Sequence, residues 1–276
     1  MNEIIEINCI ANLTYEIIFC NGEICENSKP GQFLILQKDE FSERVPLTIV
    51  NCKDGKVRVI IKVVGRSSLE ISEMKTGDSF KNVVGPLGNP SEIRKYGNII
   101  CIGGGVGAAP LLAVTRELKK TGNKIISILG AMDADSLILD NEFEEISEKL
   151  YITTNDGSKG KKGFVTDILK KLLKEKKVDI IWAIGPMIMM REVTKLSVEN
   201  AIPCWVSLNP IMVDGTGMCG ACRVQIRDEI KFACVDGPEF SGADVNWDEL
   251  ISRLSQYKNQ EKSATEYKCR CDSNAK

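Results

Sequence analysis

The chain has 276 residues, 43% of them hydrophobic and 27% charged, with a net charge of −2. That balance excludes a large basic field for nucleic acid or anionic lipid, and the length suits two domains and a small appendage. Histidine is absent, which removes imidazole-dependent nucleophilic catalysis, His-ligated zinc catalysis and a Rieske-type cluster.

The opening stretch, MNEIIEINCIANLTYE, has no basic segment leading into an apolar one, and no apolar run nears the roughly 20 residues that span a bilayer. A cytoplasmic protein with no membrane and no nucleic-acid partner is expected. Residues 1–96 alternate in short strand-like runs, NEIIEINCI, YEIIFC, GQFLILQ, RVPLTIV and KVRVIIKVV, separated by NG, KPG and KDG. The pattern predicts a small antiparallel β-barrel. Arg44, at the head of 44-RVPLTI-49, is costly in a strand-forming run unless it meets an anion; the other reading is a rim arginine paired with Glu43 or Asp39. In 62-KVVGRSSLEI-71, Val63 leads towards Gly65, Arg66, Ser67 and Ser68, ahead of a helix-like segment whose first N–H groups suit a phosphate.

From 97 to 208 the rhythm changes to strands alternating with helices, which predicts a doubly wound parallel sheet, the boundary falling near 92–97. In 99-IICIGGGVGAAPLLAV-114 an apolar strand runs into Gly103, Gly104, Gly105 and Gly107, and a helix opens near Ala109 and Pro110. Such a corner lets backbone approach a pyrophosphate at a helix N-terminus. A second strand ends in 129-LGAMDAD-135, where Asp133 is placed to accept a ribose hydroxyl or to sit solvated in a loop. Two further corners, 153-TTNDGSKGKKG-163 with Asp156 and 184-IGPMIMM-190 with Gly185, Pro186 and Met190, should border the same crevice. Lys159, Lys161 and Lys162 either hold an extra phosphate or face water.

Residues 209–240 carry Cys219, Cys222 and Cys234 in the spacing C-x2-C-x11-C, with Asp214 ahead of them. The eleven cysteines are odd in number in a chain that is not a small secreted scaffold, so metal or cluster binding is the better reading than disulfides. Gly215, Gly217 and Gly220 allow a tight loop that turns its N–H groups towards cluster sulfurs. Zinc held by the three thiolates and Asp214 is one alternative; a cluster whose fourth ligand is Cys204, Cys269 or Cys271 is another. Residues 241–276 read as a helix, ADVNWDELISRL, and a polar tail expected to be poorly ordered.

Together these motifs resemble the ferredoxin-NADP reductase superfamily. There, an R-x-P/Y-[LFI]-[ST] strand and a G-x-[ST]-[ST] turn hold FAD on a barrel, and a GGGxGxAP domain receives the nicotinamide; here those positions are Arg44, Pro46, Leu47 and Thr48, then Gly65 to Ser68. The G-P-x-x-x-M corner corresponds to Gly185, Pro186 and Met190. The cysteine segment is similar to the branch that includes the electron-transfer subunit of dihydroorotate dehydrogenase and the small subunit of NADH-dependent reduced ferredoxin:NADP+ oxidoreductase. The first has C-x4-C-x2-C before its last cysteine, and D-x4-C-x2-C-x11-C looks like the second. The resemblance implies FAD, NAD(H) and a [2Fe-2S] cluster on Asp214, Cys219, Cys222 and Cys234. It also implies a larger partner with flavin and [4Fe-4S] clusters, related to the glutamate synthase small subunit, through which ferredoxin is reached indirectly. A dihydroorotate dehydrogenase subunit, or a redox-sensing nucleotide and metal module without turnover, are the alternatives.

Overall fold

A computed structural model of the chain describes residues 2–255; the polar tail with Cys269 and Cys271 lies outside them. Seven strands build the N-terminal unit: β1 (Ile4–Ala11), β2 (Thr14–Cys20), β3 (Phe33–Gln37), β4 (Val45–Thr48), β5 (Asn51–Lys53), β6 (Lys56–Lys62) and β7 (Asn82–Leu87). They form a four-stranded sheet, β1-β2-β6-β5, and a three-stranded sheet, β4-β3-β7, in which all named pairs are antiparallel. Alternation explains the closure: Ile17 and Phe19 of β2, Val57, Val59 and Ile61 of β6, and Leu34 and Leu36 of β3 meet in one buried cluster. Pro46, which has no N–H to give, is on the edge strand β4. Two short helices complete the unit, α1 (Gly22–Asn27) and α2 (Arg66–Ser72).

The second unit follows from Asn98. Its strands are β8 (Asn98–Gly104), β9 (Lys124–Ala131), β10 (Lys149–Thr154), the short β11 (Lys161–Lys162), β12 (Ile180–Ile184) and β13 (Cys204–Ser207). Between them run α3 (Ala108–Lys120), α4 (Asp140–Ile146), α5 (Val165–Glu175) and α6 (Met187–Glu199). β8 and β12 are buried along nearly their whole length because helices cover both faces of the sheet. Beyond β13 come the hairpin β14 (Arg223–Ile226) and β15 (Glu229–Phe232), then β16 (Glu239–Ser241) and α7 (Trp247–Ser255). β16 joins the large sheet antiparallel to β13, giving the order β11-β10-β9-β8-β12-β13-β16. The cysteine segment is thus stitched into the second unit.

An ion network joins the two units. Arg58 of β6 donates to Glu16 of β2 at 2.6 Å and to both carboxylate oxygens of Glu142 in α4 at 2.8 and 2.9 Å, and Arg116 of α3 also pairs with Glu142. The Asn12 N–H adds a bond to the Asp135 carbonyl at 2.9 Å. Burial alone would raise the Glu142 carboxyl, but Arg58, with Arg116 beside it, holds it below the usual carboxylate range. Its contribution to stability is therefore present above the unfolded-chain pKa, about 4.3, and is lost as pH falls through the lower folded-state value. Glu142→Gln should cost about 1–3 kcal/mol near neutral pH. The Tm difference from the parent chain, followed by thermal unfolding across pH, should shrink towards zero in acid; a difference independent of pH would show that the pair is not what Gln removes.

Candidate functional site

At the carboxyl end of the parallel sheet lies a cavity of about 490 Å³, where ligands of open α/β sheets bind. Its wall includes Gly104 and Gly105 from the first corner, Gly130 to Met132 after β9, Thr153 and Asn155 after β10, and Pro186, Ile188 and Met189 at the start of α6. Lys62, at the end of β6, reaches it from the barrel. The first corner is formed by close approach: a Cβ on Gly107 would lie 2.5 Å from the Ile184 carbonyl oxygen and 2.7 Å from the Gly185 Cα. Gly105 turns at φ +54°, and α3 begins directly after the corner with Ala108, Ala109 and Pro110.

The remaining residues of the crevice are placed differently from one another. Met190 is wholly buried, in an inward stripe with Val193, Thr194 and Ser197, while Met189 faces Gly104 and the cavity. The i, i+3, i+4, i+7 spacing of that stripe was the signal that separates the two methionines. Asp133 is half-buried and turned inward: its carboxylate accepts the Ser136 N–H at 2.8 Å, and it is Ser136 that lines the cavity. Asp156 accepts from the Ser158 N–H and Oγ, and that backbone bond above all holds its carboxyl low. Ser158 Oγ in turn accepts the Ala134 N–H at 2.8 Å, so the two loops are tied together. Lys159 pairs with Asp140 at 2.7 Å, whereas Lys161 and Lys162 are exposed on β11.

On the barrel, Arg44 is exposed, and among the described residues it has no carboxylate partner. Asp39 accepts from the Phe41 N–H, and Glu43 accepts from Ser67 Oγ. The rim pairing is thus not formed; Arg44 lies just ahead of β4 rather than in it, and the Glu43–Ser67 bond brings the Gly65–Ser68 turn beside that entry to the strand. Within that turn Ser68 is spent internally, its Oγ accepting the Val64 and Gly65 N–H groups at 2.9 and 3.0 Å. Arg66 pairs with Glu70 on α2. Pro46, Leu47 and Thr48 are half-buried on β4, and the Val63 N–H donates to the Leu13 carbonyl at 2.8 Å. A free guanidinium beside this turn suits an anionic group on the barrel.

The cysteine loop gathers one carboxylate and three thiols. Asp214 accepts the Thr216 N–H at 2.7 Å and the Cys219 N–H at 2.8 Å. Cys222 Sγ lies 3.1 Å from Cys234 Sγ. The Thr216 N–H foremost, with the Cys219 N–H, holds the Asp214 carboxyl below the usual range, so it is ionised as a ligand must be. Cys222 and Cys234 are buried and Cys219 is exposed. Among the described residues no three of these donor types converge as a single ion requires. A two-iron cluster takes two donors on each iron, and these three thiols with one carboxylate supply four anionic donors in a single loop. Gly215 has φ +79°, and a Cβ there would fall 2.6 Å from Leu87 Cδ1 and 2.7 Å from Ile35 Cδ1, which seats the loop on the barrel. Cys204 is enclosed against Thr194 and Ser197 of α6, its thiol pushed up to about 12 by burial; it does not join the cysteine loop.

Comparison with known proteins agrees with this layout. Residues 101–195 match the model of the oxidoreductase NAD-binding domain, and residues 209–246 that of the iron-sulfur cluster binding domain of dihydroorotate dehydrogenase B. A Thermotoga maritima protein named as a homolog of the dihydroorotate dehydrogenase B (NAD(+)) electron transfer subunit is 51% identical over 268 residues, covering 96% of this chain and 95% of its own. The corresponding electron transfer subunit of Desulforamulus reducens is 32% identical, covering 89% and 97%. A solved structure of NADH-dependent reduced ferredoxin-NADP oxidoreductase, described in terms of flavin-based electron bifurcation, superimposes with a TM-score of 0.92 at 50% identity over 97% of each chain.

Gly107→Ala tests the crevice. A methyl against the Ile184 carbonyl must part the β8 and β12 corners, at a cost of about 1–3 kcal/mol. A lower Tm and weaker NAD(H) binding by fluorescence titration are expected, while Gly22→Ala, with open space around its Cβ, serves as the neutral control. Unchanged NAD(H) affinity in Gly107→Ala would place the dinucleotide elsewhere.

Proposed function

Since this chain belongs to the family of dihydroorotate dehydrogenase B electron-transfer subunits and their homologues, we propose that it is the NAD(H)-, FAD- and [2Fe-2S]-dependent subunit of an electron-bifurcating oxidoreductase. The observation that carries this reading is the loop itself: Asp214, in the place of a first ligand, accepts the Cys219 N–H, and Cys222 Sγ lies 3.1 Å from Cys234 Sγ. Bound together, flavin and cluster convert a hydride exchanged with NAD(H) into single electrons. The chain supplies binding and orientation: Gly104, Gly105 and the start of α3 for the dinucleotide phosphates, Met189 and Pro186 for the crevice wall, and Arg44 with the Gly65–Ser68 turn for FAD. None of these tasks needs a general base, so the lack of histidine costs nothing.

The electron-transfer subunits in this family work with a partner subunit. The finer proposal is a partner carrying flavin and [4Fe-4S] clusters, related to the glutamate synthase small subunit, with NADPH, ferredoxin and NAD+ as the exchanged species. The names of the 32–37% identical relatives favour a second reading, a dihydroorotate dehydrogenase subunit; Asp214 in place of a first cysteine weighs against it. Assay of the purified complex separates them, since ferredoxin-linked turnover of NADPH with NAD+ supports the first and dihydroorotate oxidation the second. Among the described residues no helix is long and apolar enough to cross a membrane, and a cytoplasmic site of action is proposed.

Four variants at three positions test the site assignments. Arg44→Ala should release FAD, since a neutral methyl cannot hold an anionic group; full flavin content after gel filtration would remove Arg44 from the site. NADH should be preferred to NADPH, because Lys159 is neutralised by Asp140 and carboxylates Asp133 and Asp156 stand near the crevice. Asp140→Asn should then raise kcat/KM for NADPH relative to NADH several-fold, and an unmoved ratio would show that Lys159 does not sense a 2′-phosphate. Asp214→Cys should keep the cluster while shifting its midpoint potential and EPR g-values, and Asp214→Ala should lose iron. An alanine variant with unchanged iron and spectrum would make the carboxylate a loop residue only.

A further inference from the structure

The β14–β15 hairpin sits between two of the loop's cysteines, Cys222 just ahead of β14 and Cys234 just after β15. The segment that follows β16 is bonded along it. The Arg227 N–H donates to the Asp244 carbonyl at 2.7 Å, and Arg227 Nε pairs with the Asp244 carboxylate at 2.8 Å. Two residues on, the Asn246 N–H donates to the Gln225 carbonyl at 3.0 Å, and Asn246 Nδ2 donates to Gln225 Oε1 at 2.8 Å. Asn246 Oδ1 also accepts the Glu249 N–H at 3.2 Å, so the residue that grips β14 caps α7 as well. From there α7 runs back towards Cys222, with Leu250 buried in the same apolar core as Val224 and Ala233.

The helix rises about 10 Å between Asn246 and Arg253, which brings Arg253 to the cysteine loop. Its half-buried guanidinium donates to the Ala221 carbonyl at 3.2 Å and to the Arg223 carbonyl. Those are the carbonyls of the residues on either side of Cys222. Arg223 donates in turn from Nη1 to the Gly220 carbonyl at 3.2 Å, and the Cys222 carbonyl accepts the Ala233 N–H, beside Cys234, at 3.1 Å. Glu249, one turn before Arg253, approaches its Nε at 3.6 Å, too far for a hydrogen bond. A planar guanidinium held by two carbonyls is fixed in place and orientation, which a single-point ammonium is not. No assignment made above for NAD(H), FAD or the ligand set uses Arg253.

We propose that Arg253 is a positioning residue for the Cys222 side of the loop and that its charge raises the reduction potential of the cluster held there. The proposal rests on the [2Fe-2S] reading of the loop. Reduction adds one electron, and with it one negative charge, to the centre that the loop encloses. A fixed cation beside the loop stabilises that reduced state more than the oxidised one, and in a half-buried place it is screened less than at the surface. Net charge and hydrogen bonding around a cluster set its potential. Arg253 supplies both from a helix outside the ligand loop, so the potential can be tuned without exchanging a ligand.

The test is an EPR-monitored redox titration of the purified protein with its cofactors, alongside its iron content. Arg253→Gln should keep iron and lower the midpoint potential by enough to change the one-electron equilibrium tenfold, about 59 mV. Arg253→Lys, which keeps the charge and loses the two-pronged contact, should keep iron and lie closer to the parent than to Arg253→Gln. Arg227→Gln removes the same charge at the other end of β14 and should leave the potential where it was. An unchanged potential in iron-replete Arg253→Gln, or an equal fall in Arg227→Gln, would overturn the proposal. Should Arg253→Gln lose iron, Arg253→Lys decides: bound iron with a near-parental potential supports the proposal, and a tenfold fall overturns it. A parent protein without iron or a cluster EPR signal would remove the cluster reading itself, an outcome distinct from a loaded cluster whose potential ignores Arg253.

Discussion

The three parts of this chain are held in register at one buried carboxylate. Glu239, on β16, accepts Ser91 Oγ at 2.8 Å from the segment linking the two units, and Trp182 Nε1 at 3.3 Å from β12. Burial pushes its carboxyl above the ordinary range, and two neutral donors are what it has in exchange for water. Around it the Asn89 N–H bonds the Gly237 carbonyl at 2.6 Å and the Leu208 N–H bonds the Pro238 carbonyl at 2.9 Å. With Gly215 pressed on Ile35 and Leu87, the cysteine loop is fixed against barrel and nucleotide unit at once. The spacing of electron carriers in such a subunit is therefore a packing property, determined by residues far apart in the chain.

The opposite contact, between barrel and nucleotide crevice, is made of different material. There Arg58, Glu142, Arg116 and Glu16 meet as partly hydrated ions, and Lys62 leans across from β6. Ion pairs of this exposure tolerate small changes of geometry at little cost, whereas interlocked apolar groups do not. The cysteine loop is thus held to the barrel by interlocked apolar groups, and the nucleotide crevice by half-buried ions.

Much of this was legible in the sequence because the signals were local. Period-two alternation in 1–96, the strand-to-helix corner at Gly103 to Gly107, and the three cysteines among glycines each lie within a few residues of chain. What was not legible depends on partners distant in sequence or on side-chain direction. Arg58 meets Glu142 across 84 positions, and nothing within 239-EFS-241 announces a strand antiparallel to β13. Spacing to Gly185 singled out Met190, yet the helical stripe turns that residue inward and offers Met189 to the cavity. Asp133, read as facing a ribose or water, caps the turn that ends in Ser136, since a short carboxylate at a loop start readily finds its own backbone.

The place of β16 at the margin of the seven-stranded sheet bears on colloidal behaviour. Without that strand, β13 would show a row of unpaired N–H and C=O groups, the template on which sheets of separate molecules join. The strand that covers it is three residues long and follows the segment that carries Cys219, Cys222 and Cys234. The bonds of Glu239 to Ser91 and Trp182 that keep this cover in place therefore also guard the molecule against joining edge to edge with its copies.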